Sequence, residues 1–381
     1  MNADARPAAP QVVREMLTLA REFLERRGLE EARLEAELLV AHALGIDRLA
    51  LFMRLDAPVT EEEVDLARNM IVRRSKREPV AYIIGSREFY GRDFKVGPGV
   101  LIPRPETELL IDRARELWPS STVRVPRSQE LERKAIERQE ATRSEADVGA
   151  KSVESVERRN QPSETSGMLA RHAVSEAQVS EASGPEPTQA ASTGSVDQHL
   201  SHDQDAAKAA HESAPVIVDI GSGSGCIAVS LALEIPDAHV LATDISADAI
   251  QWARLNAEEL GAELSFLQGD GPEALPDGAR FDLMVSNPPY IDPAERQSLA
   301  ADVREFEPEL ALFAPTGDPE HWVGRLLHSA RQRLRPGGRL LVELGYDQSE
   351  RALVLARETG FEACVHKDLS GVDRVFEAWL S

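Results

Sequence analysis

From Pro215 to the end of the chain, short apolar runs alternate with longer amphipathic stretches. The runs are VIVDI, HVLAT, LSFLQG, FDLMVS and RLLVELG, and EACVHKD and DRVFEAWL close the series. Between them stand the helical patterns GSGSGCIAVSLALEI, ISADAIQWARLNAEELG, HWVGRLLHSARQRL and SERALVLARETG. Runs this apolar must be covered on both faces, the situation of strands in a parallel sheet flanked by helices. The pattern therefore predicts an α/β fold over 215–381, a doubly wound, mostly parallel sheet. Ligands in such sheets bind beyond the carboxyl ends of the strands, where the strand order reverses. The residues that end each run are the first places to look for chemistry.

The first run ends in DIGSGSG, which sets Gly221, Gly223 and Gly225 directly before a helix, with Ser222 and Ser224 between them. Glycines there permit a tight turn and a close approach of backbone to ligand. The spacing departs from the GxGxxG of dinucleotide sites, so it suits a ligand without a pyrophosphate. Backbone N–H groups can meet a carboxylate and Asp219 can meet an amine, and the amino-acid end of methionine offers both. Asp244 ends the second strand, 19 positions after Gly225. A carboxylate there can accept from two ribose hydroxyls, as nicotinamide dinucleotides and S-adenosylmethionine both require. Asp270 and Gly271 follow the third strand and fall at the adenine end of the same ligand. A helix N-cap at Asp244 and a plain turn at Asp270–Gly271 are the alternatives.

The fourth run ends in SNPPYI. Two adjacent prolines cannot continue a helix or sit in a central strand. They hold the carbonyl of Pro288 in one direction with little entropy left to lose. The Asn287 side chain offers a second carbonyl, and Tyr290 a flat aromatic face. A planar NH₂ group needs two acceptors when buried. Asn287, Pro288, Pro289 and Tyr290 are therefore the expected catalytic and substrate-binding group: they hold an amide or base nitrogen against a methyl donor. In-line displacement asks that nitrogen and carbon start about 3–3.5 Å apart. No His or Lys stands beside the motif as a general base.

Upstream, residues 11–27 and 30–44 show helical spacing closed by Gly28 and Gly45, and a third helix follows Asp47. Thr60 and Glu63 form a capping box ahead of a fourth. A helical bundle over 1–81 is expected, serving to dock a partner. Residues 82–119 read as a β-hairpin holding Tyr82, Ile84, Phe89, Tyr90 and Phe94, then a helix around ETELLIDRARELW. The segment 120–214 is a low-complexity insertion, in which the stretch up to 213 has no Phe, Tyr or Trp. Such a composition cannot bury enough apolar area to offset ordering, so disorder is expected; LERKAIERQEATRSEA inside it has some helical character.

A net charge of −22 argues against a general grip on nucleic acid, which needs clustered Lys and Arg. The two cysteines, Cys226 and Cys364, form no CxxC pair, and His199 and His202 lie in the insertion, so no metal site is expected. No apolar run is long enough to span a membrane, and MNADARPAAP has no signal-peptide pattern. A cytoplasmic, monomeric protein with no membrane or stable nucleic-acid association is the expectation.

The chain resembles the protein-(glutamine-N5) methyltransferases that modify peptide chain release factors, the HemK/PrmC family. The resemblance rests on EPVAYIIGSREFYG, VLIPRPETELLID, VDIGSGSGCIAVSLA, ATDISADAI, FDLMVSNPPYI, FEPELALFAPTGD, LRPGGRLLVELGYDQ and KDLSGVDRVFEAWL, in family order. It covers nearly all of 11–118 and 215–381. It implies a seven-stranded Rossmann-like class I methyltransferase sheet behind the helical bundle. It also implies S-adenosyl-L-methionine as cofactor, with S-adenosyl-L-homocysteine as product. Gly221 to Gly225, Asp244 and Asn287 would contact the cofactor, and Asn287 to Tyr290 would hold the glutamine of a release factor's Gly-Gly-Gln. Arg104, Glu106 and Glu108 would sit near the pocket. NPPY alone is shared with adenine-N6 methyltransferases; a ribosomal-protein glutamine, a nucleic-acid amino group and a catalytically idle scaffold are the other readings. Two features depart from the family: Gly271 stands where an aromatic residue often follows the acid of the third strand, and the insertion is extra.

Overall fold

The computed structural model describes residues 11–118 and 214–380. The expected insertion therefore lies outside the described residues, apart from its last position.

The first helices are α1 (Val13–Arg26), α2 (Ala32–Ala43), α3 (Arg48–Met53) and α4 (Glu61–Ser75). Their starts follow from side chains that satisfy free backbone N–H groups. Asp47 accepts from Ala50 N at 2.7 Å. Thr60 accepts from Glu63 N at 3.2 Å, while the Glu63 carboxylate takes Thr60 N at 2.7 Å. Leu24, Leu39, Val40 and Leu51 are fully buried between them. The hairpin is shorter than expected. Tyr82 and Ile84 belong to a short helix, α5 (Val80–Ile84), entered from Pro79 and closed by Gly85 at φ 83°. The strands β1 (Ser86–Phe89) and β2 (Arg92–Lys95) begin only after that glycine. Phe89 and Phe94 stay in the hairpin, edge to face at 5.9 Å.

The apolar runs form one sheet. Its strands are β3 (Val216–Ile220), β4 (His239–Asp244), β5 (Ser265–Gln268), β6 (Phe281–Ser286), β7 (Leu334–Glu343), β8 (Glu362–Lys367) and β9 (Asp373–Trp379). Their order is β5-β4-β3-β6-β7-β9-β8. β3 pairs in parallel with both β4 and β6, and within this sheet β9 is the strand that runs opposite to the others, antiparallel to β7 and β8. The order thus reverses between β3 and β6. This is the expected doubly wound, mostly parallel, seven-stranded sheet.

Alternate strand residues enter opposite cores. Ile217, Leu283, Val285 and Leu341 pack with α6 (Glu108–Leu117), α7 (Cys226–Glu234) and α8 (Ala247–Leu260). Val218, Met284, Leu340 and Val342 face the other way. After the short helices α9 (Ala301–Phe306) and α10 (Glu309–Leu312), the helices α11 (His321–Arg333) and α12 (Ser349–Glu358) cover that second face.

Three side-chain contacts seat the upstream elements on the sheet domain. Asn256 of α8 accepts from Lys95 N at 2.7 Å and returns its amide to Lys95 O at 3.0 Å and Ser224 O at 2.8 Å. Gly97 lies against the Trp252 ring so closely that a Cβ there would stand 2.7 Å from it. Arg74 of α4, 5% exposed, holds Glu35 at 2.7 Å and Asp302 at 3.2 Å. The bundle is thereby tied to the segment that follows the NPPY corner.

Candidate functional site

The glycine turn is set by backbone geometry. Gly221, Gly223 and Gly225 all take positive φ, at 77°, 54° and 81°. At Gly225 a Cβ would also lie 2.9 Å from the Ala253 Cβ, so α7 can start there only without a side chain. Gly221 N and Ser222 N both donate to Thr243 O at 2.9 Å, which fixes the turn to the end of β4. Gly223 N donates to Asp244 Oδ2 and Ser246 N to Asp244 Oδ1, each at 2.8 Å. Asp244 does not cap α8; the cap is Ser246, which accepts from Ala249 N. The Asp244 carboxylate instead bridges two turns at the rim, with each oxygen holding one backbone N–H.

Behind the turn lies Asp219, fully buried. Its Oδ2 accepts from Ala228 N at 3.1 Å, but among the described residues its Oδ1 has no partner, and neither has the buried Ser222 Oγ. Burial pushes the Asp219 carboxyl up to about 8, and the Asp244 charge adds to the rise against the Ala228 hydrogen bond. Burial is also the main influence on Asp244, which is pushed up despite its backbone donors. Two buried acceptors without a donor are chemically incomplete. An ammonium is a group that would complete Asp219.

Asp270 is exposed and forms a 3.5 Å ion pair with Arg325. Gly271 is buried, and a Cβ there would stand 2.9 Å from the Trp322 ring and 3.0 Å from Arg325. Arg325 in turn lies over the Trp322 ring at 4.5 Å. The aromatic group missing after the acid of the third strand is thus met from α11, and Gly271 is what makes room for it.

At the end of β6, Ser286 Oγ donates to Ile220 O at 2.7 Å and holds this strand end to that of β3. The segment after NPPY is pinned by Ile291 N to Leu312 O at 3.0 Å and Ala314 N to Ile291 O at 2.9 Å. Asn287 donates from Nδ2 to Thr107 Oγ1 at 3.1 Å, and Thr107 donates to Glu343 Oε2 at 2.6 Å. Burial pushes Glu343 up to about 7 against the Thr107 bond. Burial, aided by the Glu343 charge, likewise drives the Tyr290 phenol above its ordinary range, so it stays protonated at neutral pH. A cavity of about 310 Å³ opens beside the motif, lined by Leu101, Arg104, Asn287, Tyr290, Leu299 and Val303. Arg104 is held there by Glu307 at 2.6 Å, which also takes Ile102 N.

Of the three upstream residues expected near the pocket, Arg104 lines it. Glu106 is exposed and bears electrostatically on Glu343 and Tyr290. Glu108 accepts from Tyr90 N at 2.8 Å and serves the hairpin. Thr107, Glu343 and Glu307 stand at the site without having been among the expected residues. A signal existed for Glu343: it is a lone acid at the end of an apolar strand, as Asp244 is. Cys364, His366 and Glu377 also bring possible metal-binding atoms within 4.8 Å of one another on β8 and β9. Cross-strand pairing, invisible as sequence spacing, assembles them. Glu377 already accepts from Arg113 at 2.6 Å and Arg339 at 3.1 Å, and those two guanidiniums oppose a further cation.

Against this geometry, the sequence matches the family model of the PrmC N-terminal domain over residues 15–85 and that of the methyltransferase small domain over 206–304. A release factor glutamine methyltransferase of Geobacter sulfurreducens is 34% identical over 95% of this chain and 95% of its own. The chain belongs to the release factor glutamine methyltransferase family. Relatives of the same name in Chlorobaculum tepidum and Bordetella pertussis are 32% and 33% identical, covering 94% and 96% of this chain and 94% and 100% of theirs. Among solved structures, a methyltransferase from Pyrococcus furiosus is similar at 19% identity and TM-score 0.33, over 44% of this chain and 74% of its own. Family membership makes the chain a methyltransferase with S-adenosyl-L-methionine as methyl donor. Its bundle and its glycine turn fall in the two segments that the family models match.

Proposed function

We propose that this chain methylates the side-chain amide nitrogen of the glutamine in the Gly-Gly-Gln of peptide chain release factors. The relatives' names and the NPPY corner support the reading, and one observation carries it: the Asn287 amide stands at the strand-order reversal beside the glycine turn. S-adenosyl-L-methionine supplies, when bound, a methyl group on a sulfonium and leaves as S-adenosyl-L-homocysteine.

The residues fit that cofactor. Asp219 Oδ1 lacks a donor, which suits the ammonium of an amino acid, and Ser222 Oγ lacks a partner beside it. Gly221, Ser222, Gly223, Ser224 and Gly225 let backbone approach the ligand, and the N–H groups not already used favour its carboxylate. Asp244 accepts ribose hydroxyls through the lone pairs its two backbone bonds leave free. Asp270, Gly271 and Trp322 bound the adenine end. Around the acceptor, the Asn287 carbonyl and the Pro288 carbonyl each take one N–H of the glutamine amide, and the Tyr290 ring covers its plane. Pro289 holds that corner rigid. An amide nitrogen is a poor nucleophile because its lone pair is delocalised, so these groups act by orientation and by exclusion of water. The cavity beside Arg104 receives the backbone that carries the glutamine.

The α1–α5 bundle helps to dock the release factor, and the protein works as a monomer in the cytoplasm without stable nucleic-acid binding. Incubation with purified release factor and labelled S-adenosyl-L-methionine, followed by peptide mass mapping, tests the reading. One methyl on the tripeptide glutamine is expected. A methyl on a ribosomal-protein glutamine or a nucleic-acid amino group, with the release factor left bare, would overturn it.

A further inference from the structure

Asn287, Thr107 and Glu343 come from three separate segments: the end of β6, the turn before α6 and the last residue of β7. Thr107 and Glu343 are each 2% exposed, so water cannot compete for their polar atoms. β6 and β7 pair in parallel with Ser286 opposite Val342, which places the two strand ends side by side.

An ionised carboxylate can only accept hydrogen bonds, and a threonine hydroxyl has one proton to give. Glu343 takes that proton at 2.6 Å. Thr107 is left with lone pairs alone to offer Asn287. The Asn287 amide must then present its NH₂ to Thr107, as it does at 3.1 Å, and its carbonyl oxygen stays available. The opposite rotamer would set two N–H donors against the N–H donors of a glutamine amide and would leave Thr107 with no donor.

We infer that Glu343, acting through Thr107, fixes which way round the Asn287 amide sits, so that its carbonyl oxygen accepts the substrate N–H. Thr107 and Glu343 are positioning residues for methyl transfer and touch neither substrate nor cofactor. This rests on the reading of Asn287 as the holder of the acceptor amide.

The relay has a polarity that protonation can reverse. A neutral Glu343 can donate to Thr107, whose hydroxyl is then free to donate to the Asn287 carbonyl and occupy it. The groups that bear on Glu343 are Arg104 and Glu106 ahead of α6, Arg374 of β9, the Tyr290 phenol and the Cys226 thiol of α7. The two arginines oppose its protonation, Glu106 favours it, and the phenol and thiol are neutral at pH 7.

Thr107→Val keeps the shape of the side chain and deletes the hydroxyl; Thr107→Ser restores the hydroxyl without the methyl. Both are compared with the full-length wild-type chain on release factor, with kcat, KM, cofactor affinity by calorimetry and thermal midpoint measured. Thr107→Val is expected to lower kcat about 10–100-fold with cofactor affinity little changed, and to lower the thermal midpoint modestly because buried Glu343 loses its donor. Thr107→Ser is expected to recover kcat to near the wild-type value. At saturating cofactor, wild-type kcat should fall as pH is lowered through about 7, and Thr107→Val should lose that limb. Unchanged kcat in Thr107→Val, or a loss that follows stability and is not rescued by serine, overturns the inference. Failure of the wild-type chain to methylate the glutamine would instead sink the functional reading beneath it.

Discussion

The two halves of the rim are held by different means. At the ends of β3 and β4, the shape comes from backbone: glycines at positive φ, amide groups donating to Thr243 O, and a carboxylate spanning two N–H groups. At the ends of β6 and β7, it comes from side chains of distant segments: Thr107, Glu343, Arg104 and Glu307 converge on a rigid proline corner. The first half suits a ligand whose parts are constant and need a fixed cradle. The second suits the orientation of one weakly nucleophilic group, where a hydrogen-bond polarity matters more than a cavity shape. Changes in the first half should therefore act on cofactor affinity and stability, and changes in the second on turnover.

The largest effect should come from the second half. Asn287→Ala removes the carbonyl proposed to take one substrate N–H, and kcat should fall by roughly 100-fold or more while much of the cofactor affinity remains. Near-normal single-turnover rates would dissolve the distinction. Next, Asp244→Ala deletes the acceptor at the rim and frees the Gly223 and Ser246 N–H groups. Cofactor affinity should weaken about 10–100-fold, with charge-assisted hydrogen bonds worth roughly 1.5–3 kcal/mol each. Calorimetric titration measures this, and a kcat defect at unchanged affinity would count against it.

Gly225→Ala tests the backbone half through stability. A φ of 81° and the approach of Ala253 should together cost about 1–3 kcal/mol, read as a lower thermal midpoint. The last effect concerns pH. Asp219 is held near 8 in the fold against an ordinary 3.8, so the folded state binds a proton more readily than the unfolded one. The unliganded protein should gain stability as pH falls from about 8 toward 4, since the folded state holds the extra proton over that range. Asp219→Asn should flatten that slope. An ammonium on Asp219 favours its ionised form, so cofactor binding at pH 7 should release a proton. Calorimetry in two buffers of different ionisation heat would expose a binding event with no proton release, the outcome that counts against this role for Asp219.

The backbone half was legible because its causes are local. The alternation of apolar runs predicted the sheet, and DIGSGSG followed 19 positions later by Asp244 marked its rim. Asp244 turned out to be no helix cap, a point that only the turn geometry could decide. Tyr82 and Ile84 read as hairpin residues in the sequence because a five-residue helix between Pro79 and Gly85 leaves too little periodicity to be seen. Trp322, which meets Gly271 from α11, was invisible for another reason: the two are brought together by tertiary packing and not by sequence spacing.

Local pattern in the chain was enough to specify the fold class, the bundle, the glycine turn, and the proline corner with its amide. Those depend on periodicity, capping and the fixed φ of proline, which act over a few residues. Folding in three dimensions was needed to put Thr107 and Glu343 behind Asn287, to leave an Asp219 oxygen without a donor among the described residues, and to hold Arg104 at the cavity through Glu307. Hydrogen-bond partners hundreds of residues apart are chosen by strand order and burial, and no local pattern encodes either.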